Sequence, residues 1–171
     1  MNNFNEAMFK TKVDNIFVKL YSAEMKQDLS DVLHFINDDV RNVFQNRIDK
    51  NKKLNRRQIY DEINVKNTNI IDRNITNDKE FVKVEIISRY MDYVIDLNTG
   101  NTIYGDDTRR IEKRNILMFE KKIDAKDTDI IRKCPGCGAS MSVNTSGKCE
   151  YCGTIFNQED YDYVLVELNV S

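Results

Sequence analysis

The sequence predicts an α+β domain in which N-terminal helices are followed by an antiparallel sheet. Near the N-terminus, apolar residues recur at steps of three and four positions, which is the period of a helix with one buried face. Further along the chain, apolar and polar residues alternate, which is the period of a strand with one buried face. Turn-forming residues lie between the alternating segments. The 171 residues are 40% hydrophobic, which suffices for one packed domain, alone or with a small module.

Two helical stretches begin the chain. The first is predicted over residues 4–25, where the helical period of apolar residues is unbroken. The second follows it, with Asp28 or Ser30 as a candidate N-cap. Asn37 and the two aspartates after it are a candidate break in the second stretch, because such residues favour caps and turns. The predicted apolar face of this stretch comprises Leu29, Val32, Leu33, Phe35, Ile36, Val40, Val43, Phe44 and Ile48.

Strands are predicted in the second half of the chain. Residues 81–95 alternate on a single phase, and a turn at 98–101 separates them from a short strand at 102–105, so we expect a hairpin. Further strands are predicted at 116–123 and at 161–170. Since a lone terminal strand is unstable, the last one should return to the sheet formed before it. The residues between these two strands are then an insertion.

Composition and charge exclude several classes of protein. With 26 basic and 28 acidic residues the net charge is -2, so the whole chain is not a polycation built for nucleic acid. It contains no apolar run of about 18 residues, which a membrane-spanning helix needs, and its N-terminus lacks the apolar core of a secretory signal. Four cysteines in two close pairs fit a reducing compartment, so we expect a cytoplasmic protein.

The cysteines form the strongest motif in the sequence. Cys134 and Cys137 form one C-x-x-C-G segment, and Cys149 and Cys152 form a second one eleven residues later. Four thiolates at this spacing can close a tetrahedron around Zn²⁺. Because four cysteines leave no open coordination position, the predicted zinc site is structural and supplies folding energy.

Other interpretations of the cysteines are weaker. Two disulfides disagree with the expected compartment, and a thioredoxin-like redox pair would need one C-x-x-C beside a βαβ unit. Iron in the same four-sulfur geometry stays open from the sequence. Many zinc ribbons bind nucleic acid, but Lys148 and Glu150 are the only charged residues from 134 to 156 and they cancel. A structural or protein-contact role is therefore favoured.

Short segments in a fixed order, together with the cysteines, resemble one family. The segments are Lys12-Val13, Phe17-Val18-Lys19-Leu20, Asp28-Leu29-Ser30, Asn98-Thr99-Gly100, Gly105-Asp106, Met118-Phe119-Glu120-Lys121 and Tyr161-Asp162-Tyr163-Val164-Leu165. They resemble the domain named for subunit forty-four of the mitochondrial import inner membrane translocase, in its bacterial form with an embedded zinc ribbon. In mitochondria such a domain lies at the membrane and organises an import motor.

The resemblance implies a cone similar to nuclear transport factor two, with helices packed on a curved antiparallel sheet around a hydrophobic pocket. The conical domain would comprise residues 1–123 and 157–171, and the zinc ribbon residues 130–156. The implied function is non-enzymatic binding or scaffolding in transport or membrane-associated assembly, at a hydrophobic ligand, a lipid surface or a protein partner. The implied location is the cytoplasm or the cytoplasmic face of the membrane. Either this pocket or an ordinary core would use Ile16, Phe17, Leu20, Phe35, Val84, Ile86, Tyr90, Leu117 and Phe119.

Two further features carry alternatives. The single histidine, His34, is either a packing residue or the base of a cone-fold isomerase or dehydratase. The cations Lys50, Lys52, Lys53, Arg56 and Arg57 lie close together in sequence. They either solvate the end of a helix or attract an anionic membrane surface. A zinc-ribbon protein that binds nucleic acid remains a further hypothesis.

Overall fold

The computed structural model describes residues 4–123, 131–133, 140–142 and 163–169. Helices lie in the N-terminal third, and an antiparallel sheet follows, so the predicted α+β class is confirmed. The predicted ligands Cys134, Cys137, Cys149 and Cys152 lie outside the described residues, as does most of the predicted ribbon. The zinc site and the division into two domains therefore stay predictions.

The first helix, α1, spans Glu6–Lys26. It begins where the side chain of Asn5 accepts a hydrogen bond from the amide of Met8 at 3.0 Å, which satisfies one of the free donors of the first turn. It ends at Gln27, whose left-handed backbone (φ 59°) directs its amide to the carbonyl oxygens of Ala23 and Glu24. This helix agrees with the predicted one.

The second helical stretch is divided, as the sequence indicates. A 3₁₀ helix spans Ser30–Phe35, and α2 spans Asp38–Lys53. Asn37 caps α2, because its side chain accepts a hydrogen bond from the amide of Val40 at 3.0 Å. Leu33 and Val43 are exposed, so their assignment to the buried face was wrong. Leu33 lies in the tighter 3₁₀ helix, and the buried positions of α2 are Val40, Phe44 and Ile48.

Five strands form the main sheet. They are β1 (Arg56–Ile75), β2 (Lys79–Asp96), β3 (Thr102–Gly105), β4 (Ile111–Lys122) and β7 (Val164–Leu168). The order is β1-β2-β4-β7, all antiparallel, and β3 pairs with the end of β2. The predicted hairpin and the return of the last strand to the sheet are both confirmed. A separate pair, β5 (Ile131–Lys133) and β6 (Ser140–Ser142), is also antiparallel.

The sheet is curved, and β1 carries the bends. Its register against β2 shifts after Asp61, after Val65 and after Ile70. Each shift inserts an unpaired residue, which kinks the strand and increases its twist. This strand of 20 residues is not predicted from the sequence, because the shifts move its apolar residues from one phase to the other.

The core lies between the helices and one face of the sheet. Val82, Val84 and Ile86 alternate on the buried face of β2, and Phe17 of α1 packs in the same core. Of the residues predicted to line either a pocket or a core, all but Phe35 are buried, so they form core. No helix in the described part of the chain combines the length and hydrophobicity that spanning a membrane needs.

The segment that leads into β7 is tied to the sheet by a buried charge. The carboxylate of Glu80 on β2 accepts hydrogen bonds from the Tyr163 hydroxyl at 2.7 Å and from Arg73 Nε on β1 at 2.8 Å. The ring of Tyr163 also meets the ring of Phe9 edge-on, with centroids 4.8 Å apart. On its other side, β7 receives a hydrogen bond from the Asn37 amide to the Leu165 carbonyl oxygen at 3.0 Å. Contacts from several elements therefore hold the last strand in place.

Candidate functional site

Two turns meet at one end of the molecule. The turn from α2 into β1 contains Leu54 and Asn55, and the turn from β2 into β3 contains Leu97 and Asn98. The amide of Leu97 donates to the Asn55 carbonyl oxygen at 2.9 Å, and Asn55 Nδ2 donates to Asn98 Oδ1 at 2.6 Å. These bonds join the two turns into one surface.

This surface combines cations with exposed apolar side chains. We call it the basic end, and it comprises Lys50, Lys52, Lys53, Leu54, Arg56, Leu97 and Tyr104. Leu54, Leu97 and Tyr104 are 46%, 38% and 58% exposed, which is high for large apolar side chains that come from three neighbouring segments. The Arg56 guanidinium lies over the Tyr104 ring, 5.2 Å from its centroid.

The structure divides the predicted group of five cations. The three lysines lie in the last turns of α2, where positive charge is favourable, and Arg56 faces the same end from β1. Arg57 follows Arg56 in the strand, so its side chain projects from the opposite face of the sheet. Its Nε is buried with no hydrogen-bond partner among the described residues. Arg57 therefore does not belong to the basic end, and this part of the sequence interpretation was wrong.

A polar pocket of about 400 Å³ opens at the basic end. Helices α1 and α2 and strands β1, β2 and β3 all contribute to its wall. The described lining residues are Glu24, Arg47, Lys50, Asn51, Arg56, Gln58, Tyr60, Asp92, Val94 and Tyr104. The pocket is therefore built from residues that lie far apart in sequence.

The inner wall of the polar pocket holds a buried carboxylate. Glu24 accepts a hydrogen bond from Arg47 Nη2 at 2.7 Å and one from the Tyr60 hydroxyl at 2.8 Å. Burial raises the pKa of Glu24, while its two partners act in the opposite direction. Burial also raises the pKa of Tyr60, and the adjacent carboxylate adds to this effect, so the phenol stays a hydrogen-bond donor.

Behind this wall lies a cluster of tyrosines. The rings of Tyr21 and Tyr60 are 4.6 Å apart, and those of Tyr60 and Tyr90 are 5.3 Å apart in edge-on contact. The Tyr21 hydroxyl accepts a hydrogen bond from Asn115 Nδ2 at 2.8 Å, and burial raises the pKa of Tyr21 to about 12. Tyr60 lines the pocket, whereas the buried rings of Tyr21 and Tyr90 lie behind it and support it.

A second, more apolar groove of about 450 Å³ runs along the first half of α1. It is lined by Ala7, Met8, Thr11, Lys12, Asn15, Ile16, Lys19 and Phe35. Met8 is largely exposed, and Lys19 Nζ lies 5.7 Å from the Phe35 ring centroid. This groove is on the outside of the helix layer, whereas the resemblance implies a pocket inside the cone. Ile16 and Phe35 are the only predicted pocket residues in its described lining.

His34 lies outside both sites. Its ring meets the Phe35 ring edge-on at 6.4 Å, and the side chain is half-buried in the 3₁₀ helix. Within the described residues, no carboxylate forms a hydrogen bond with it or shares a pocket lining with it. The catalytic hypothesis therefore has no partner group in this part of the chain.

Sequence reasoning missed most of the polar pocket. One signal was available: Glu24 continues the buried phase of α1 set by Phe17 and Leu20, and a carboxylate at such a position needs buried donors. The donors are invisible in the sequence, because Arg47 and Tyr60 lie 23 and 36 residues away. Among the described residues there is no cluster of three His, Cys, Asp or Glu side chains that could hold a metal.

Comparisons with known proteins give one family. Residues 2–129 match the model of the Tim44-like domain. No curated protein matches the chain significantly. The solved intermembrane-space region of the chloroplast protein ARC6 aligns over 68% of this chain and 87% of that one, at 8% identity and a TM-score of 0.44.

Proposed function

Because the chain belongs to the Tim44-like domain family, we propose that it is a non-enzymatic binding and scaffold domain that docks on an anionic lipid surface. The basic end would meet the lipid, at the cytoplasmic face of a membrane. The observation that carries this proposal is the placement of Leu54, Leu97 and Tyr104 among lysines and Arg56 on two joined turns. A role in transport or in membrane-associated assembly is the corresponding cellular function.

Two attractions would hold the basic end on the lipid. Each cation near an anionic leaflet contributes about 1 kcal/mol, and the basic end presents Lys50, Lys52, Lys53 and Arg56. The apolar side chains contribute by leaving water, at about 25 cal/mol per Å² of buried area. Either attraction alone is marginal for stable anchoring, which usually takes two signals.

Flotation with vesicles tests this proposal. We expect the protein to float with phosphatidylglycerol-containing vesicles and to stay behind with pure phosphatidylcholine. The variant Lys52→Glu/Lys53→Glu should remove the difference between the two lipids. The variant Leu54→Ser/Leu97→Ser should weaken flotation at both high and low salt. The control Arg89→Glu/Lys113→Glu reverses two exposed charges on other strands and should float as the wild type does. Equal recovery with both lipids would contradict lipid docking.

The groove along α1 favours a second candidate function, the binding of a hydrophobic ligand. Its wall is largely apolar, and the ammonium group of Lys19, beside the Phe35 ring, would meet an acidic end group. Native mass spectrometry of the protein mixed with dodecanoate tests this candidate. Ala7→Trp should fill the groove and abolish the complex, while Ile71→Trp, at an exposed position of β1, should not. Equal binding by both variants would exclude the groove.

We also propose that Cys134, Cys137, Cys149 and Cys152 bind one structural Zn²⁺. The pairing of Lys133 with Ser140 supports this, because it joins the two ends of the segment that contains the first C-x-x-C pair. Metal analysis of the full chain should find one zinc per molecule, with iron as the alternative outcome, and Cys149→Ser should lose it. Purified protein without bound metal would contradict the site.

A further inference from the structure

We propose that the polar pocket is a binding site for a phosphate group carried by a small ligand. The proposal goes beyond lipid docking, because the pocket is a concave site of about 400 Å³ and not the flat surface around it. Its walls combine guanidinium and ammonium groups, which are the side chains that recognise phosphate.

The two carboxylates of the pocket are already engaged. Glu24 accepts hydrogen bonds from Arg47 and from the Tyr60 hydroxyl. Asp92 accepts one from Gln58 Nε2 at 2.6 Å. Both carboxylates therefore already accept hydrogen bonds from side chains of the pocket wall.

Two cations of the pocket, in contrast, have no acidic partner among the described residues. They are Lys50 and Arg56, and both line the pocket. Arg56 lies over the Tyr104 ring, which orients its guanidinium without using its hydrogen-bond donors. An oxyanion would supply the missing acceptors.

Arg47 adds a third, pre-oriented donor group. Its Nη2 is fixed by Glu24 at 2.7 Å, and its guanidinium carbon lies 4.3 Å from the centroid of the Phe44 ring. A guanidinium has five N–H donors, so donors remain for a ligand after the bond to Glu24. The side chain is 44% exposed, so these donors can be reached from the pocket. Glu24 is thus a positioning residue for Arg47.

The pocket has room for more than an inorganic ion. A volume of about 400 Å³ lies within the range of sites for small organic ligands. Val94 and the exposed ring of Tyr104 give part of the wall an apolar character. We therefore choose phenyl phosphate as the organic probe and inorganic phosphate as the minimal one.

Calorimetric titration of the full chain at constant ionic strength tests the site. Lys50→Gln/Arg56→Gln should weaken binding of phenyl phosphate about tenfold or more, because two charged hydrogen-bond donors are lost. Arg89→Gln/Lys113→Gln removes the same charges elsewhere and should bind within about twofold of the wild type. Lys50→Arg/Arg56→Lys keeps both charges and should retain most of the affinity. That result would show that the loss in the Gln variant comes from the missing charges and not from a folding defect. Amide NMR shifts should localise the change to Asn51, Val94 and Tyr104.

Further measurements distinguish a soluble phosphate from a lipid headgroup and separate phosphate binding from vesicle docking. Lys52→Gln/Lys53→Gln should weaken vesicle docking and leave phenyl phosphate binding unchanged. Binding to phosphatidic acid vesicles without binding of either soluble probe would assign the phosphate to a lipid headgroup, provided that Lys50→Gln/Arg56→Gln weakens it more than it weakens binding to phosphatidylglycerol vesicles. No binding of the wild type to either soluble probe, with no extra loss of phosphatidic acid binding in Lys50→Gln/Arg56→Gln, would overturn the proposal, and so would equal losses in the pocket and control variants. Flotation with phosphatidylglycerol vesicles would still support lipid docking in both cases.

Discussion

Two regions of this molecule bury a glutamate with the same chemistry and use it differently. Glu24 receives hydrogen bonds from Arg47 and Tyr60 at the basic end. Glu80 receives them from Arg73 and Tyr163 near the start of β7. Both glutamates are 2% exposed. The difference lies in what surrounds the arginines.

Arg47 faces the open polar pocket, and its side chain is 44% exposed. Arg73 is covered, with a side chain 27% exposed and its guanidinium carbon 4.3 Å from the Phe4 ring centroid. Its Nη2 is buried with no hydrogen-bond partner in the part of the chain that the structure describes. The same arrangement of groups thus holds a cation beside an open pocket in one place and closes a seam between strands in another.

The largest expected effect comes from deleting each carboxylate. Glu80→Ala should lower the free energy of unfolding by about 3 kcal/mol or more, because it leaves a covered arginine charge without its partner. Glu24→Ala should cost about 2 kcal/mol, because water can reach Arg47 through the pocket. Urea unfolding followed by circular dichroism measures both. Glu112→Ala, which breaks the exposed pair with Lys66, should cost less than about 1 kcal/mol. Equal losses of unfolding free energy for Glu24→Ala and Glu80→Ala would contradict this difference between the two glutamates.

A smaller effect is expected when only the phenol oxygen is removed. Tyr163→Phe and Tyr60→Phe each delete one hydrogen bond to a charged acceptor, so each should cost about 1.5 kcal/mol. Hydrogen exchange separates them. Tyr163→Phe should speed exchange of the β7 amides, whereas Tyr60→Phe should leave β7 protected. Faster exchange in β7 from both variants would show that the two regions are coupled.

The smallest expected effect concerns pH. Burial raises the pKa of Glu24 above its ordinary value of 4.5, so the folded state holds this proton at a pH where the unfolded state has lost it. The contribution of Glu24 is therefore greatest at low pH and decreases as pH rises above 4.5 towards the folded pKa. Glu24→Gln cannot titrate, so the wild type should lose stability relative to this variant over that interval. Unfolding curves at several pH values measure the difference, and a constant difference would contradict the raised pKa.

Much of the fold could be predicted from periodicity. The helix α1, the break at Asn37, the hairpin of β2 and β3, and the return of β7 all follow from local patterns of apolar and turn residues. The strand β1 could not be predicted in this way, because its register shifts change the phase of its side chains. Leu33 and Val43 were misplaced because apolar spacing does not distinguish a 3₁₀ helix from an α-helix, and the buried residues of α2 follow a four-residue step through Val40, Phe44 and Ile48.

The candidate site was predictable only where it is local. The lysines at the end of α2 are visible in the sequence, but their proximity to Leu97 and Tyr104 depends on the contact between two turns. Alternation within a strand separates Arg57 from Arg56, which a count of charges does not show. The partners of Glu24 come from other elements, so no short motif encodes them.

The position of β7 has a consequence for how the protein is made. In the sheet order, β4 lies between β2 and β7, so one edge of β4 has no partner until residues 164–168 have left the ribosome. By then α1, α2 and the first four strands are already outside. An unpaired edge of this kind invites other extended chains, and incompletely folded intermediates aggregate through such edges. The nascent domain therefore exposes one edge of β4 until residues 164–168 pair with it.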